Sequence, residues 1–113
     1  YNINKFRAPG QVFHPKNDDK LGYVIYFGEI SIYHAGDTDN IPEIKDLKPT
    51  IALLPVSGTY VMTKEEAVEA VKNIKPEIAI PMHYGAIVGS EEDARYFEKE
   101  ASKHCKVVVL TKE

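Results

Sequence analysis

Gly22-Tyr23-Val24-Ile25-Tyr26-Phe27 is an apolar, strand-like run, and a second, Ile30-Ser31-Ile32-Tyr33, follows after Gly28-Glu29. Both runs are rich in β-branched and aromatic residues, and the Gly-Glu pair supplies a turn, so the stretch predicts a β-hairpin. Ile51-Ala52-Leu53-Leu54-Pro55-Val56 is a continuous apolar run with the length of a buried strand, and Glu77-Ile78-Ala79-Ile80-Pro81-Met82 is a second short one. Between them the period changes. Ala67, Val68, Ala70, Val71 and Ile74 recur at helical spacing, while Glu65, Glu69, Lys72 and Asn73 take the solvated side. Thr63-Lys64-Glu65-Glu66 is a capping box at the start of this helix, and Pro76 stops it. Strand, helix and strand in this order predict a right-handed βαβ unit with parallel strands.

A second helix is signalled by Ser90-Glu91-Glu92-Asp93, with Ala94, Phe97 and Ala101 facing inward, and a last strand by Lys106-Val107-Val108-Val109-Leu110. Asn40-Ile41-Pro42-Glu43-Ile44-Lys45-Asp46-Leu47 predicts a short helix, capped by Asp39 or Asn40 and ended before Pro49. The first twenty residues carry Pro9-Gly10 and Pro15-Lys16-Asn17-Asp18-Asp19-Lys20 without a sustained period, and predict a long loop.

Candidate chemistry gathers where these elements end. Tyr33-His34-Ala35-Gly36-Asp37-Thr38-Asp39 breaks abruptly from apolar to polar, and Gly36 lets the backbone turn so that Asp37 is presented at the end of the sheet. Such a carboxylate is a metal ligand, a base or a turn cap. His83 follows the second short strand, and His14 sits in a loop bounded by Pro and Gly. Strand ends are where α/β sheets build sites, and two histidines with an aspartate suit zinc, iron or manganese. The Ser57-Gly58-Thr59-Tyr60 loop is expected at the same edge. Ser57 is not placed as a hydrolase nucleophile, because Pro55 stands where the Gly-x-Ser-x-Gly elbow needs glycine; a contact to substrate is its expected part. Tyr84 either orients a substrate oxygen or packs as an ordinary aromatic. His34, three residues before Asp37, reads equally as a supporting or core histidine or as a ligand and is left out of the metal set, and His104 reads as an exposed residue at a helix end.

Taken in order, Tyr1-Asn2, Phe13-His14-Pro15-Lys16, Gly22-Tyr23-Val24-Ile25, residues 33–39, Leu54-Pro55-Val56-Ser57-Gly58-Thr59-Tyr60 and Pro81-Met82-His83-Tyr84-Gly85 resemble the metallo-β-lactamase superfamily of metal-dependent hydrolases. Within it they are most similar to a microbial branch near the ascorbate-phosphate lactonase-like enzymes. The resemblance implies that His14 matches the family's third-motif histidine, Asp37 the catalytic carboxylate bridging two divalent metals, and His83 the last histidine. The metals implied are zinc first, with iron or manganese as alternatives, and a bridging hydroxide would attack an ester, lactone or phosphodiester. Related sequences usually carry Gly where Ser57 stands, a departure that bears on substrate.

The family's His-x-His-x-Asp-His cluster is absent from the sequence, and the first residue is Tyr1 rather than Met. The resemblance therefore implies that residues 1–113 are the C-terminal half of a metallo-β-lactamase-like domain. The expected fold is α/β, half of an αββα sandwich: a mixed sheet with a β-hairpin, a βαβ unit and two helices on one face. The other face is expected to meet the N-terminal half or a second copy of the chain. Such a chain alone is expected to lack a complete site and to be inactive. The competing expectation is a non-catalytic association or folding module without bound metal.

Composition adds bounds. A chain of 113 residues with 43% hydrophobic content forms one domain or less, burying roughly two-thirds of its unfolded surface. With 14 Lys and Arg against 17 Asp and Glu, the net charge is -3 and no dense basic run occurs, so a small-molecule substrate is expected rather than nucleic acid. No apolar segment approaches the roughly 20 residues that span a bilayer, and no signal-peptide pattern opens the chain, so a cytoplasmic location is expected. Cys105 is the single cysteine, which excludes an intrachain disulfide and a cysteine-rich zinc site.

Overall fold

Pro9-Gly10, read above only as part of a loop, turns a small hairpin: β1 (Phe6–Ala8) pairs antiparallel with β2 (Gln11–Val12), and Gly10 takes φ +73. Strands of three and two residues are too short to show a period, so the expectation of a long loop is corrected here. A 3-10 turn at Lys16–Asp18 follows in the computed structural model, which describes residues 1–111.

The predicted hairpin forms from β3 (Tyr23–Phe27) and β4 (Ile30–His34), with Ile25 opposite Ile32. After it, the expected short helix is a 3-10 turn, Pro42–Ile44, continued by a hydrogen bond from the Leu47 amide to the Ile44 carbonyl. Ile41, Ile44 and Leu47 recur every three residues, which is the 3-10 period, and all three pack on the core.

The βαβ unit consists of β5 (Ile51–Pro55), α1 (Lys64–Ile74) and β6 (Ile78–Met82), with β5 and β6 parallel. The α1 cap closes as the sequence predicts. The Glu66 amide donates to Thr63 Oγ1 at 3.1 Å, and the Thr63 amide donates to Glu66 Oε2 at 2.8 Å. Lys75 ends the helix in the left-handed region at φ +48. α2 (Glu91–Ala101) follows, and β7 (Lys106–Val107) completes a five-stranded mixed sheet ordered β3-β4-β5-β6-β7, antiparallel only between β3 and β4. The last strand is shorter than predicted. Its pairing ends with the Val108 amide on the Ala79 carbonyl, and Leu110 is exposed.

Both helices lie on one face of the sheet. Tyr33, Ala52, Leu54 and Ala79 point into that layer and are buried against Ala67, Ala70, Val71 and Ile74 of α1 and Phe97 and Ala101 of α2. The opposite face carries Ile25, Ile32, Ile51, Leu53, Ile78 and Ile80 and has neither helix on it; its central residues are half-buried, and Tyr23 and Ile25 remain 57% and 46% exposed. β5 and β6 therefore alternate buried and half-buried residues. No helix among the described residues is long and apolar enough to cross a membrane.

Candidate metal centre

The parallel strands β4, β5 and β6 end at one edge, and the loops leaving them meet there. Gly36 adopts φ +67 just after β4, and a Cβ on it would lie 3.0 Å from the Leu21 carbonyl oxygen, so only glycine makes this turn without strain. His34 steadies the turn by accepting the Gly36 amide at Nδ1 (3.2 Å). Asp37 is thereby carried to the edge with its side chain 47% exposed.

His83 leaves β6 at φ +62, a left-handed backbone that a non-glycine residue adopts at a cost of order 1 kcal/mol and that clusters at functional sites. Its Nδ1 lies 2.9 Å from Ser57 Oγ, and its Nε2 lies 3.5 Å from Asp37 Oδ1. Gly89 makes room for this contact, because a Cβ there would come within 2.7 Å of Ser57 Cβ.

His14 reaches the other carboxylate oxygen. Its Nε2 is 3.6 Å from Asp37 Oδ2, and its Nδ1 is 2.8 Å from Lys20 Nζ. The backbone of His14 pairs twice with Asn2: its amide donates to Asn2 Oδ1 and its carbonyl accepts the Asn2 amide, each at 2.8 Å. Phe13 packs edge-on against Tyr60 with ring centroids 4.6 Å apart.

Two imidazoles thus face different oxygens of one carboxylate, at separations too long for hydrogen bonds. His14 Nε2 is buried and has no hydrogen-bond partner among the described residues. A buried polar atom without a partner is costly, and a cation between the ring and the carboxylate would relieve that cost. Burial first, and the Lys20 charge second, hold the His14 pKa below its usual value, so the ring is neutral at pH 7, as ligation requires. The donors N, O and N fit a divalent metal in kind. They do not complete its shell, since among the described residues no three His, Cys, Asp or Glu side chains close around a single ion.

Lys20 opposes ligation at His14. Its ammonium can only donate, which makes Nδ1 the acceptor and leaves the proton of a neutral ring on Nε2. For Nε2 to bind a metal, Lys20 must withdraw and Nδ1 must take the proton.

Of the residues singled out in the sequence, His14, Asp37 and His83 are brought together and Ser57 stands behind His83. Tyr84 is half-buried against the core, with its hydroxyl donating weakly to the Leu110 carbonyl at 3.5 Å. His34 and His104 are exposed and outside the cluster. Cys105 is half-buried, with burial raising its thiol pKa. Sequence reasoning missed Asn2, Lys20 and Asp39. Beside His83 a cleft of about 620 Å³ opens between β6, α2 and the C-terminal segment, lined in part by Leu53, Met82, Tyr84 and Arg95.

Comparison with known proteins supplies the remaining observations. A model of the beta-lactamase superfamily domain matches residues 1–83 and so ends on His83. A UPF0173 metal-dependent hydrolase of Methanopyrus kandleri is 41% identical over 87 residues, 74% of this chain and 38% of that protein. Igni18, a novel metallo hydrolase from the hyperthermophilic archaeon Ignicoccus hospitalis, matches with a TM-score of 0.67 at 32% identity, over 79% of this chain and 41% of that one. A protein from Thermotoga maritima, named as a candidate Zn-dependent hydrolase of the metallo-β-lactamase superfamily, matches with a TM-score of 0.62 at 25% identity, over 78% of this chain and 58% of that one. The chain spans about two-fifths of the length of the curated relatives it matches.

Proposed function

The chain belongs to the beta-lactamase superfamily domain family, its relatives are named metal-dependent hydrolases, and from that premise we propose that it supplies one share of a hydrolytic metal centre. Its mixed five-stranded sheet, small hairpin and two helices form part of the metallo-β-lactamase fold. The observation that carries the proposal is the buried, unpartnered Nε2 of His14, facing one oxygen of Asp37 while Nε2 of His83 faces the other.

In this reading His14, Asp37 and His83 are the residues of this chain that would hold divalent metal. Zinc is preferred because its usual protein ligands include imidazole and carboxylate, with iron or manganese as alternatives. A bound metal would supply Lewis-acid polarisation of a carbonyl or phosphoryl oxygen and a water of lowered pKa. The chain's own residues prepare for this. Ser57 Oγ lies within hydrogen-bond reach of His83 Nδ1 and orients the ring; with the proton on Nδ1 it would accept that proton and leave the Nε2 lone pair for a metal. The substrate is a small ester, lactone or phosphodiester, with the cleft beside His83 and Tyr84 as its place.

The uncovered sheet face receives the N-terminal half of the same domain, which supplies the ligands this chain lacks. Its apolar exposure and the greater length of the relatives support that occupant, and a second copy of the chain is the other. A second reading, a non-catalytic association or folding module, draws on the open ligand set. The test mixes the chain with a polypeptide carrying the His-x-His-x-Asp-His half of a relative, adds zinc, and follows cleavage of p-nitrophenyl acetate and bis(p-nitrophenyl) phosphate. Turnover that requires both polypeptides and disappears with Asp37→Ala is expected. Turnover indifferent to Asp37→Ala, or a well-formed pair without turnover, contradicts the proposal.

A further inference from the structure

Asp39 is 1% exposed and Asn2 is 3% exposed, and the metal-centre reading gives neither a part. A carboxylate is buried at high cost unless its oxygens are matched, and Asp39 is matched fully. Oδ2 accepts the backbone amides of Ile3 at 2.7 Å and Asn4 at 3.0 Å, and Oδ1 accepts Asn2 Nδ2 at 3.1 Å. Lys5 Nζ stands 3.5 Å from Oδ1 and also pairs with Glu66 of the α1 cap. Asp39 therefore holds the segment 2–5 against the loop that presents Asp37, two residues before it.

Asn2 passes that restraint to His14. Its Nδ2 donates to the Tyr60 carbonyl at 2.8 Å as well as to Asp39, which orients the amide and leaves Oδ1 as the acceptor for the His14 backbone amide at 2.8 Å. With the return bond from the Asn2 amide to the His14 carbonyl, the backbone of His14 is clamped on both polar groups. One short path thus runs from the Asp37 loop through Asp39 and Asn2 to His14.

We propose that Asn2 and Asp39 are positioning residues that set the distance of His14 from Asp37, a role that rests on the metal-centre reading. Neither touches the ion; both act through the His14 backbone. Their loss should lower zinc affinity by roughly ten- to a hundredfold, the range for removing an outer partner of a metal ligand, and only while His14 is present.

The test measures zinc affinity by chelator competition for the 113-residue chain, Asp39→Asn and Asn2→Ala, each also in a His14→Ala background, and amide hydrogen exchange at His14 without metal. The expected result is a loss of affinity in the wild-type background that vanishes with His14→Ala, together with faster exchange of the His14 amide in Asn2→Ala at unchanged protection of α1. Equal loss in both backgrounds, or an unchanged His14 amide, would overturn the proposal. Zinc affinity indifferent to His14→Ala alone overturns the metal-centre reading itself, and this proposal with it. Asp39→Asn, which keeps the shape of the side chain, carries the test if Asn2→Ala does not fold.

Discussion

Ser57 Oγ lies 2.9 Å from Nδ1 of His83, leaving the other ring nitrogen, Nε2, to face Asp37. The hydroxyl orients the imidazole ring. Ser57→Ala should leave the fold intact and weaken zinc binding by about tenfold, because the outer hydrogen bond that orients the ring is lost. Chelator competition measures it, and an unchanged affinity would remove Ser57 from the centre.

Lys20 acts in the opposite sense at His14. Its ammonium occupies Nδ1 and adds positive charge beside the place a cation would take. Lys20→Met should therefore strengthen zinc binding severalfold, and the gain should shrink as salt is raised, since the charge is exposed. Weaker binding in Lys20→Met would show that the lysine supports the loop rather than competing at the ring.

The hairpin and the βαβ unit were legible because their signals are local: Gly28-Glu29 between two runs rich in β-branched and aromatic residues, and Thr63 with Glu66 at a helix start. β1 and β2 were not, since so few residues pair. The segment at Pro42–Ile44 was misread because its three-residue apolar spacing serves a 3-10 turn as well as a short helix. Nothing in the Lys106-Val107-Val108-Val109-Leu110 run marks where pairing with β6 stops. The approach of Asp37 and His83 was foreseeable from parallel strands ending at one edge, and that of His14 from the family motif. Asn2 and Asp39 fell within the family motifs, yet their part in holding His14, like that of Lys20, left no local trace, because their partners are distant in sequence or across a loop.

Tyr33 gives the protein an alkaline limit. Burial pushes its phenol up to about 12, so the folded chain resists an ionisation that the unfolded chain undergoes near 10. Stability is fully present below about pH 10 and is lost between roughly pH 10 and 12, by about 2–3 kcal/mol at the upper end. Urea melts across this range should show the decline. Tyr33→Phe should flatten it, and a decline of equal slope in that variant would assign the effect elsewhere.

The uncovered sheet face predicts association. Tyr23 and Ile25 are exposed beside Ile32, Ile51 and Leu53, and an apolar patch of that extent marks an interaction surface. Light scattering on the isolated chain should find dimers or larger species, and Ile25→Lys should shift them toward monomer. A monodisperse monomer at high concentration would indicate a self-sufficient two-layer domain.

The claim that Asp37 joins His14 and His83 in holding metal is tested most directly by calorimetric titration of the chain with zinc, beside Asp37→Ala. The predicted result is weak binding by the wild-type chain, reduced at least about tenfold in the variant. Identical isotherms for the two chains would contradict it.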